Sequence, residues 1–298
     1  MRKQKVWGFM NNQNEILFEY AQIGGVRLHY AKCGNGEKLV LLLHGFPEFW
    51  YSWRHQLVAL GDEYTLVAPD LRGYNLSDKP SRVEDYEIDK LVDDVTGLIR
   101  HFNREKAAVV GHDWGASIAW ATARKHPEFV WKLCALQVPP QQVWKKNQSF
   151  KQFLASWYMF FFQIPFFPEW LLSRNDFALL ENSLKNSPVQ KNVFTPEVIT
   201  EYKKSWREPF VLQNALNYYR ANFFRLFSAS SDSDKKIRVP TLFIYGENDH
   251  AILPETVKGI AEFIDAPYEE FYIPTAGHWV QQEEPETVTQ ILREFLAD

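Results

Sequence analysis

Cysteine is scarce in this sequence, and several common targeting and binding patterns are missing from it. Cys33 and Cys134 are the two cysteines in 298 residues. They lie far apart without the spacing of a metal site, which predicts reduced thiols and no disulfide framework. No block of basic residues occurs, and the formal net charge is -4. The charge pattern therefore gives no reason to expect nucleic acid or an anionic membrane surface as a partner.

A secretory signal is also missing from residues 1–20, which include basic residues but no continuous apolar region. A cytoplasmic location is the expectation that follows by default. Hydrophobic residues make up 46% of the chain and charged residues 23%, which is ordinary for a globular protein. A chain of this length suits one large domain or a domain with a sizeable insertion.

Residues 106–120, KAAVVGHDWGASIAW, combine a short apolar strand, a sharp turn and the beginning of a helix. The apolar residues at 107–110 are small or β-branched, which is typical of a strand buried on both faces. Gly111 and Gly115 then flank Asp113, each two residues away. This is the spacing of the strained elbow that lifts a nucleophile to the edge of an α/β sheet. Here the elbow residue is an aspartate and not a serine.

An aspartate at the elbow predicts a particular chemistry. A carboxylate with a reference pKa near ~3.9 is ionised at neutral pH, so it can attack an sp3 carbon that bears a leaving group and form an alkyl ester. Hydrolysis of that ester requires a histidine base, an acid that orients the histidine, and amide donors for the oxyanion. The alternative is that Asp113 only caps the helix that follows. Ser117 is expected to lie inside that helix, which disfavours a serine esterase.

Strand and helix patterns alternate through most of the chain. This alternation predicts an α/β fold with a mostly parallel central sheet and helices on both faces. Residues 1–138 and 237–298 are expected to form the two parts of this core. The predicted strands are a hairpin within 18–34 that turns at Gly24-Gly25, followed by 39–43, 64–70, 107–110, 131–137, 241–245 and 268–273. The predicted helices lie at 52–60, 88–102, after the elbow, after Pro254 and at 285–296.

The alternation stops between residues 139 and 236, where the patterns are helical and rich in aromatic residues. We expect this segment to be an inserted helical cap, closed by a polar loop at 228–236. Residues 153–172 are apolar enough to suggest a membrane-spanning helix, but prolines and polar residues interrupt the run. A cap over an apolar substrate chamber explains these residues better, and a helix at a membrane interface is the weaker alternative.

Two loops in the second part of the core supply what the aspartate needs. Asp249 follows the strand at 241–245, and His278 follows the strand at 268–273. The carboxyl ends of parallel strands line one edge of a sheet, which is also the edge that carries the elbow. The chain order of nucleophile, acid and histidine is that of α/β-hydrolases. Asp249 is therefore predicted to orient His278, and His278 to activate water.

Together these motifs resemble the α/β-hydrolase-fold epoxide hydrolases, in particular the hydrolase domain of soluble epoxide hydrolases. The resemblance covers nearly the whole chain from about residue 18. It implies that the backbone amides of Phe46 and Trp114 bind the oxyanion. The motifs that carry it are HGFPE at 44–48, GHDWG at 111–115, GEND at 246–249 and GHW at 277–279.

The resemblance also implies two cap tyrosines that hydrogen-bond to the epoxide oxygen. Tyr158 in WYMFFFQIP and Tyr219 in NYYRANFF match the patterns of the family, and Tyr218 is the alternative donor if the alignment is off by one residue. A phenol with a reference pKa of about 10 stays protonated at neutral pH and can support a developing alkoxide. Packing in an aromatic core is the alternative role for these tyrosines.

The sequence thus predicts a hydrolase that converts a small apolar epoxide and water to a diol, without a metal or organic cofactor. Trp114, Tyr158 and Tyr219 are expected to contact the substrate. Haloalkane and haloacid dehalogenases share the aspartate nucleophile and are the main alternative. The haloalkane enzymes commonly place a second halide donor where this chain has Phe46, and fluoroacetate dehalogenases use arginines where it has Trp114 and Ser117. A small-molecule binding module with little turnover is a further alternative.

Overall fold

The computed structural model describes residues 15–226 and 236–297. Most of the N-terminal segment considered above, and nearly all of the polar loop predicted at 228–236, lie outside the described residues. The strands are β1 (Leu17–Ile23), β2 (Val26–Cys33), β3 (Leu39–Leu43), β4 (Thr65–Pro69), β5 (Ala107–His112), β6 (Val130–Leu136), β7 (Thr241–Gly246) and β8 (Tyr268–Ile273).

These eight strands form one sheet in the order β1-β2-β4-β3-β5-β6-β7-β8. The pairs β1 with β2 and β2 with β4 are antiparallel, and the other neighbouring pairs are parallel. The predicted mostly parallel sheet and the predicted hairpin at Gly24-Gly25 are therefore confirmed. The next strand in the chain, β3, does not lie beside that hairpin, because β4 is inserted between β2 and β3.

The central strands are buried on both faces, as their uninterrupted apolar runs predict. In β3, Leu41 and Leu43 belong to one hydrophobic cluster while Val40 and Leu42 belong to another. Successive side chains of a strand point to opposite faces of the sheet, so the two clusters are the cores on its two sides. The run of consecutive apolar residues is thus a consequence of helices covering both faces.

Helices cover both faces of the sheet and also fill the segment between β6 and β7. Across the described residues, no strand occurs between β6 and β7, which accords with the helical character predicted there. The limits of an inserted cap at 139 and 236 stay a prediction. The helices are α1 (Arg54–Leu60), α2 (Ile88–His101), α3 (Trp114–Lys125), α4 (Gln141–Lys146), α5 (Phe150–Ala155), α6 (Trp157–Phe161), α7 (Phe167–Asn186), α8 (Pro196–Trp206), α9 (Val211–Asn222), α10 (Val280–Glu283) and α11 (Pro285–Ala297).

Two of the helical predictions need comment. The helix expected after Pro254 is wrong, because two separate 3-10 turns, Pro254–Val257 and Ile260–Phe263, occupy that stretch. The apolar run at 153–172 is divided among α5, α6 and the beginning of α7. Within 15–226 and 236–297, no helix combines the length and the apolarity needed to cross a bilayer.

The elbow glycines permit a close approach that a side chain would prevent. A Cβ at Gly115 would overlap with the backbone carbonyl of Leu43 in β3. We expect Gly115→Ala to lower the free energy of unfolding by about 3 kcal/mol, because backbone atoms must move apart. Gly25→Ala is the matched control, since a Cβ at Gly25 meets nothing within 4 Å. Urea unfolding of both variants measures the difference, and equal stabilities would contradict the prediction.

Candidate active site

Asp113 occupies the turn between β5 and α3 in an unusual backbone conformation. Its φ is 53° and its ψ is -116°, a region that non-glycine residues rarely adopt and that costs about 1–3 kcal/mol. The Asp113 side chain makes no capping hydrogen bond to α3, so the helix-cap alternative is wrong. The turn instead directs the carboxylate away from the helix and into the site.

One Asp113 oxygen already sits at a backbone donor. The N–H of Phe46 donates to Asp113 Oδ1 over 2.8 Å. Trp114 is the first residue of α3, so its N–H has no carbonyl within the helix to which it could donate. The two residues that the resemblance singled out for an oxyanion site thus flank the Asp113 carboxylate from the β3 loop and from the helix.

His278 and Asp249 form a close pair at the same edge of the sheet. Nδ1 of His278 lies 2.7 Å from Oδ2 of Asp249, and its Nε2 lies 3.8 Å from Oδ2 of Asp113. Asp249 Oδ1 accepts from the N–H groups of Ala251 at 2.7 Å and Ile252 at 3.0 Å. Burial alone would raise the pKa of Asp249, but the adjacent His278 and these amides lower it. Asp249 is therefore a fixed anion that holds the imidazole.

The charges around His278 set its protonation state. Burial acts to lower the pKa of His278, whereas the charge and hydrogen bond of Asp249, and then the charges of Asp113 and Glu48, raise it to about 9. An imidazole with that pKa is protonated at neutral pH. His278 consequently lies between two carboxylates as a cation while Asp113 is ionised.

Tyr158 and Tyr219 face Asp113 from the helices between β6 and β7, and their ring centroids are 5.9 Å apart. Burial, and then the negative charge of Asp113, raises the pKa of both phenols well above the usual value, so both remain protonated donors. Tyr218 is different, because its hydroxyl is fully buried and donates to the carbonyl of Arg72 over 2.8 Å. Of the two neighbouring tyrosines, Tyr219 is the one that shares a cavity with Asp113.

Asp113, Tyr158 and Tyr219 line one cavity of about 130 Å³. Its wall combines the Asp113 carboxylate and the two tyrosines with predominantly apolar side chains, which include Trp114, Val138, Met159 and Ile252. Such a chamber can exclude water from an apolar ligand while placing it between a carboxylate and two phenols. The arrangement can perform displacement at carbon with proton donation to the leaving oxygen.

Sequence reasoning missed Gln137, which follows β6 with a φ of 68°. Its Nε2 donates to Asp249 Oδ2 over 2.7 Å and to the carbonyl of Gly277 over 3.0 Å, and its Oε1 accepts from Gly246 N–H over 2.6 Å. Gln137 therefore joins the loop of the acid to the loop of the histidine. No sequence motif marks it, because all these contacts are distant along the chain.

Sequence reasoning also assigned no role to Glu48 and His112, although both lie inside the quoted motifs. Glu48 Oε2 accepts from Gly45 N–H over 3.0 Å and lies 2.7 Å from His112 Nδ1. His112 Nε2 lies 2.7 Å from the carbonyl oxygen of His278. The pair joins the loops that carry Phe46, Asp113 and His278.

The electrostatics yield a direct test on the histidine. Asp113→Asn removes one of the negative charges that stabilise the His278 cation, so we expect the pKa of His278 to fall below about 9. Titration of the imidazole by NMR in wild type and in Asp113→Asn measures the change. Ser117→Ala, which alters the same cavity without a charge, is the control. An unchanged His278 pKa in Asp113→Asn would show that Asp113 does not set it.

Residues 38–285 match the family described as alpha/beta hydrolase fold. Epoxide hydrolase 1 of Caenorhabditis elegans is 40% identical over 286 residues, which cover 93% of this chain and 69% of that protein. The AB hydrolase superfamily protein YfhM of Bacillus subtilis (strain 168) is 38% identical, with 94% of this chain and 98% of that protein covered.

Solved structures agree with these relatives. A point mutant of an epoxide hydrolase from Bacillus megaterium superposes with a TM-score of 0.84 at 33% identity, and the match covers 94% of this chain and all of that one. An evolved variant of a potato epoxide hydrolase gives a TM-score of 0.85 at 27% identity, with 95% and 99% covered. The chain therefore belongs to the α/β-hydrolase fold family, within the group of the epoxide hydrolases.

Proposed function

We propose that this protein hydrolyses apolar epoxides to vicinal diols through a covalent ester on Asp113. The observation that carries the proposal is the position of Tyr158 and Tyr219, whose phenols line the same cavity as the Asp113 carboxylate. An epoxide that opens must receive a proton or a strong hydrogen bond at its oxygen. Two protonated phenols opposite a carboxylate supply that requirement, and the similarity to epoxide hydrolases agrees with it.

In the first half-reaction Asp113 displaces the epoxide oxygen from one ring carbon. Oδ1 is held by the Phe46 amide, so Oδ2 is the oxygen that attacks and Oδ1 becomes the ester carbonyl oxygen. The carbon–oxygen bond of the ring breaks, and a tyrosine gives its proton to the resulting alkoxide. His278 then supplies a proton, by way of water, that restores the tyrosine.

Ester formation changes the environment of His278. The neutral ester no longer carries the charge of Asp113, which is one of the causes of the raised His278 pKa. The pKa of His278 is therefore lower in the ester, so the imidazole is more readily neutral and can take a proton from water. Asp249 holds the cation that forms, and Gln137 holds Asp249. The nucleophile thus controls when its own ester can be hydrolysed.

In the second half-reaction hydroxide from that water adds to the carboxyl carbon of the ester. Negative charge develops on Oδ1, which accepts from the Phe46 amide, and the Trp114 amide is the proposed second donor. The bond between the carboxyl carbon and Oδ2 then breaks, and the new carboxylic acid proton passes to the leaving alkoxide. A vicinal diol departs, Asp113 is again a carboxylate, and His278 is again protonated.

The covalent step provides the test of the proposal. Wild type should form diol from styrene oxide, and Asp113→Ala should form none because no nucleophile remains. His278→Gln should accumulate the ester, because alkylation proceeds while hydrolysis lacks its base. Intact-protein mass spectrometry should show an added mass equal to one substrate in His278→Gln. No diol from any epoxide, with halide released from haloalkanes, would favour a dehalogenase.

Adjacent tyrosines allow a matched test of the proton donor. Tyr219→Phe removes a hydroxyl that faces the nucleophile, so we expect kcat to fall by about a hundredfold. Tyr218→Phe removes a hydroxyl that donates to the Arg72 carbonyl, so it should cost about 1 kcal/mol of stability and leave kcat nearly unchanged. Steady-state kinetics and thermal unfolding separate the two. Equal kcat losses would contradict the assignment of Tyr219.

The remaining expectations of the sequence stay predictions. They are a cytoplasmic location and a reaction without a metal or organic cofactor, in which the small epoxide and water are the only reactants.

A further inference from the structure

The helices α5, α6 and the beginning of α7 present an exposed aromatic face. Phe150 is 75% exposed, Trp157 is 63% exposed, and Phe166 is 81% exposed. We use the term aromatic face for the exposed side chains Phe150, Phe153, Leu154, Trp157, Phe166 and Trp170. Single exposed apolar residues are ordinary, but a contiguous group marks a surface that contacts another apolar phase.

Ring contacts connect Trp157 and Trp170 of this face through Phe161 and Phe167. Trp157 packs on Phe161, Phe161 on Phe167, and Phe167 on Trp170, with centroids 5.8, 6.0 and 5.7 Å apart. These contacts run from α6 across the break before α7 and into its first turn. A row of packed rings therefore links α6 to the beginning of α7 within this surface.

In the short helix α5 the apolar side chains point outward and a polar side chain points inward. Its exposed residues include Phe150, Phe153 and Leu154, whereas the polar Gln152 is fully buried. The Gln152 amide is hydrogen-bonded to the loop after β7. Its Oε1 accepts from Leu253 N–H over 2.8 Å, and its Nε2 donates to the Ala251 carbonyl over 2.8 Å. A helix on a globular protein in water normally has the opposite polarity. The outer side of α5 thus suits an apolar environment.

Charge identifies the partner. Residues 141–174 contain four basic residues, Lys145, Lys146, Lys151 and Arg174, against the single acid Glu169, so the segment carries a formal charge of +3 on a chain of -4. Glu169 is paired with Arg220 over 2.6 Å, and Lys146 is paired with Glu262 over 2.6 Å. The positive charge beside the aromatic face therefore comes from Lys151 and Arg174. Lys151 is exposed beside Phe150, and the Arg174 guanidinium lies 5.0 Å from the Trp170 ring centroid.

We propose that the aromatic face docks on the surface of a lipid bilayer that contains anionic lipids. Tryptophan and phenylalanine insert at the level of the headgroups, and adjacent lysine and arginine side chains bind anionic headgroups. The formal net charge of -4 gives no reason to expect an anionic membrane surface as a partner. The net charge of a whole chain, however, does not reveal a local basic segment. In the folded chain Lys151 and Arg174 lie beside exposed aromatic rings.

Docking would also affect access to the cavity. Helix α6 exposes Trp157 on one side while the next two residues, Tyr158 and Met159, line the cavity. A single helical turn therefore separates the proposed membrane contact from the proposed site of catalysis. An apolar epoxide dissolved in the bilayer would have a short route to Asp113. This consequence rests on the proposed function, whereas docking itself does not.

Vesicle co-sedimentation of the purified protein tests the docking. Wild type should bind vesicles of phosphatidylcholine with roughly one quarter phosphatidylserine, bind vesicles of phosphatidylcholine alone more weakly, and lose affinity as salt is raised. Phe166→Ser should weaken binding by about tenfold, in line with the transfer of one large apolar side chain. Lys151→Gln combined with Arg174→Gln should remove most of the preference for anionic vesicles.

Phe210→Ser is the matched control. Phe210 and Phe166 are both highly exposed, at 70% and 81%, both precede a helix, and both have a positive φ, of 65° and 64°. Phe210 lies outside the aromatic face, so its substitution should leave vesicle binding unchanged. Trp157→Ser is the second variant should Phe166→Ser fail to fold, as judged by thermal unfolding.

Several outcomes would overturn the proposal. Absence of wild-type binding to either kind of vesicle would do so, as would equal losses in Phe166→Ser and Phe210→Ser. A concentration-dependent dimer in sedimentation velocity that Phe166→Ser dissociates, without vesicle binding, would make the face an interface between two copies of the chain. Because binding is measured without substrate, a failure of docking is distinguishable from a failure of epoxide hydrolysis.

Discussion

The close packing of α3 on β3 is the constraint on which the site depends. Gly115 brings the first turn of α3 against the backbone of Leu43 and His44, and the turn that makes this possible places Asp113 at a φ of 53°. The same approach puts the loop after β3 beside the elbow, so that the Phe46 amide reaches the Asp113 carboxylate. The proposed nucleophile and the proposed oxyanion donor are thus brought together by backbone packing.

The second requirement is electrostatic, and it concerns the order of the two proposed half-reactions. A histidine that was neutral throughout could activate water beside a free Asp113 and an unreacted epoxide. In the folded protein the charge of Asp113, after that of Asp249, contributes to raising the His278 pKa to about 9. In the proposed mechanism the imidazole therefore becomes available as a base mainly after Asp113 is esterified. Asp249 alone cannot provide this control, because its charge is the same before and after the proposed esterification of Asp113.

Much of this arrangement could be predicted from the sequence, because its signals are local. Buried strands are recognisable by continuous apolar runs, as in β3 and β5, and the elbow by glycines on either side of Asp113. The choice between Tyr218 and Tyr219 is different. Both are aromatic residues in one turn of α9, and only their rotation about the helix axis decides which faces the cavity.

Contacts between distant parts of the chain were the part that could not be predicted. Gln137 touches the loops of Gly246, Asp249 and Gly277, and nothing near it in the sequence reports those partners. Two 3-10 turns replaced the helix predicted after Pro254, and Gly259, which has a φ of 80°, separates them. The reversed polarity of α5 was equally hidden, since composition gives the aromatic residues but not the side of the helix on which they lie.

The loop after β7 connects the site to the outer surface. On the side of the site, Asp249 Oδ1 accepts from the N–H of Ala251. On the side of the outer surface, the buried Gln152 of α5 hydrogen-bonds to the carbonyl of Ala251, the N–H of Leu253 and the hydroxyl of Thr256. The residue that bonds to the acid of the His278 pair therefore also bonds to the helix that carries part of the aromatic face. A shift of α5 large enough to break the Gln152 contacts would leave buried polar groups unpaired, at a cost of about 1–3 kcal/mol for each group. That cost favours an α5 that stays in place when its outer surface meets another phase, so that the geometry of Asp249 and His278 is preserved.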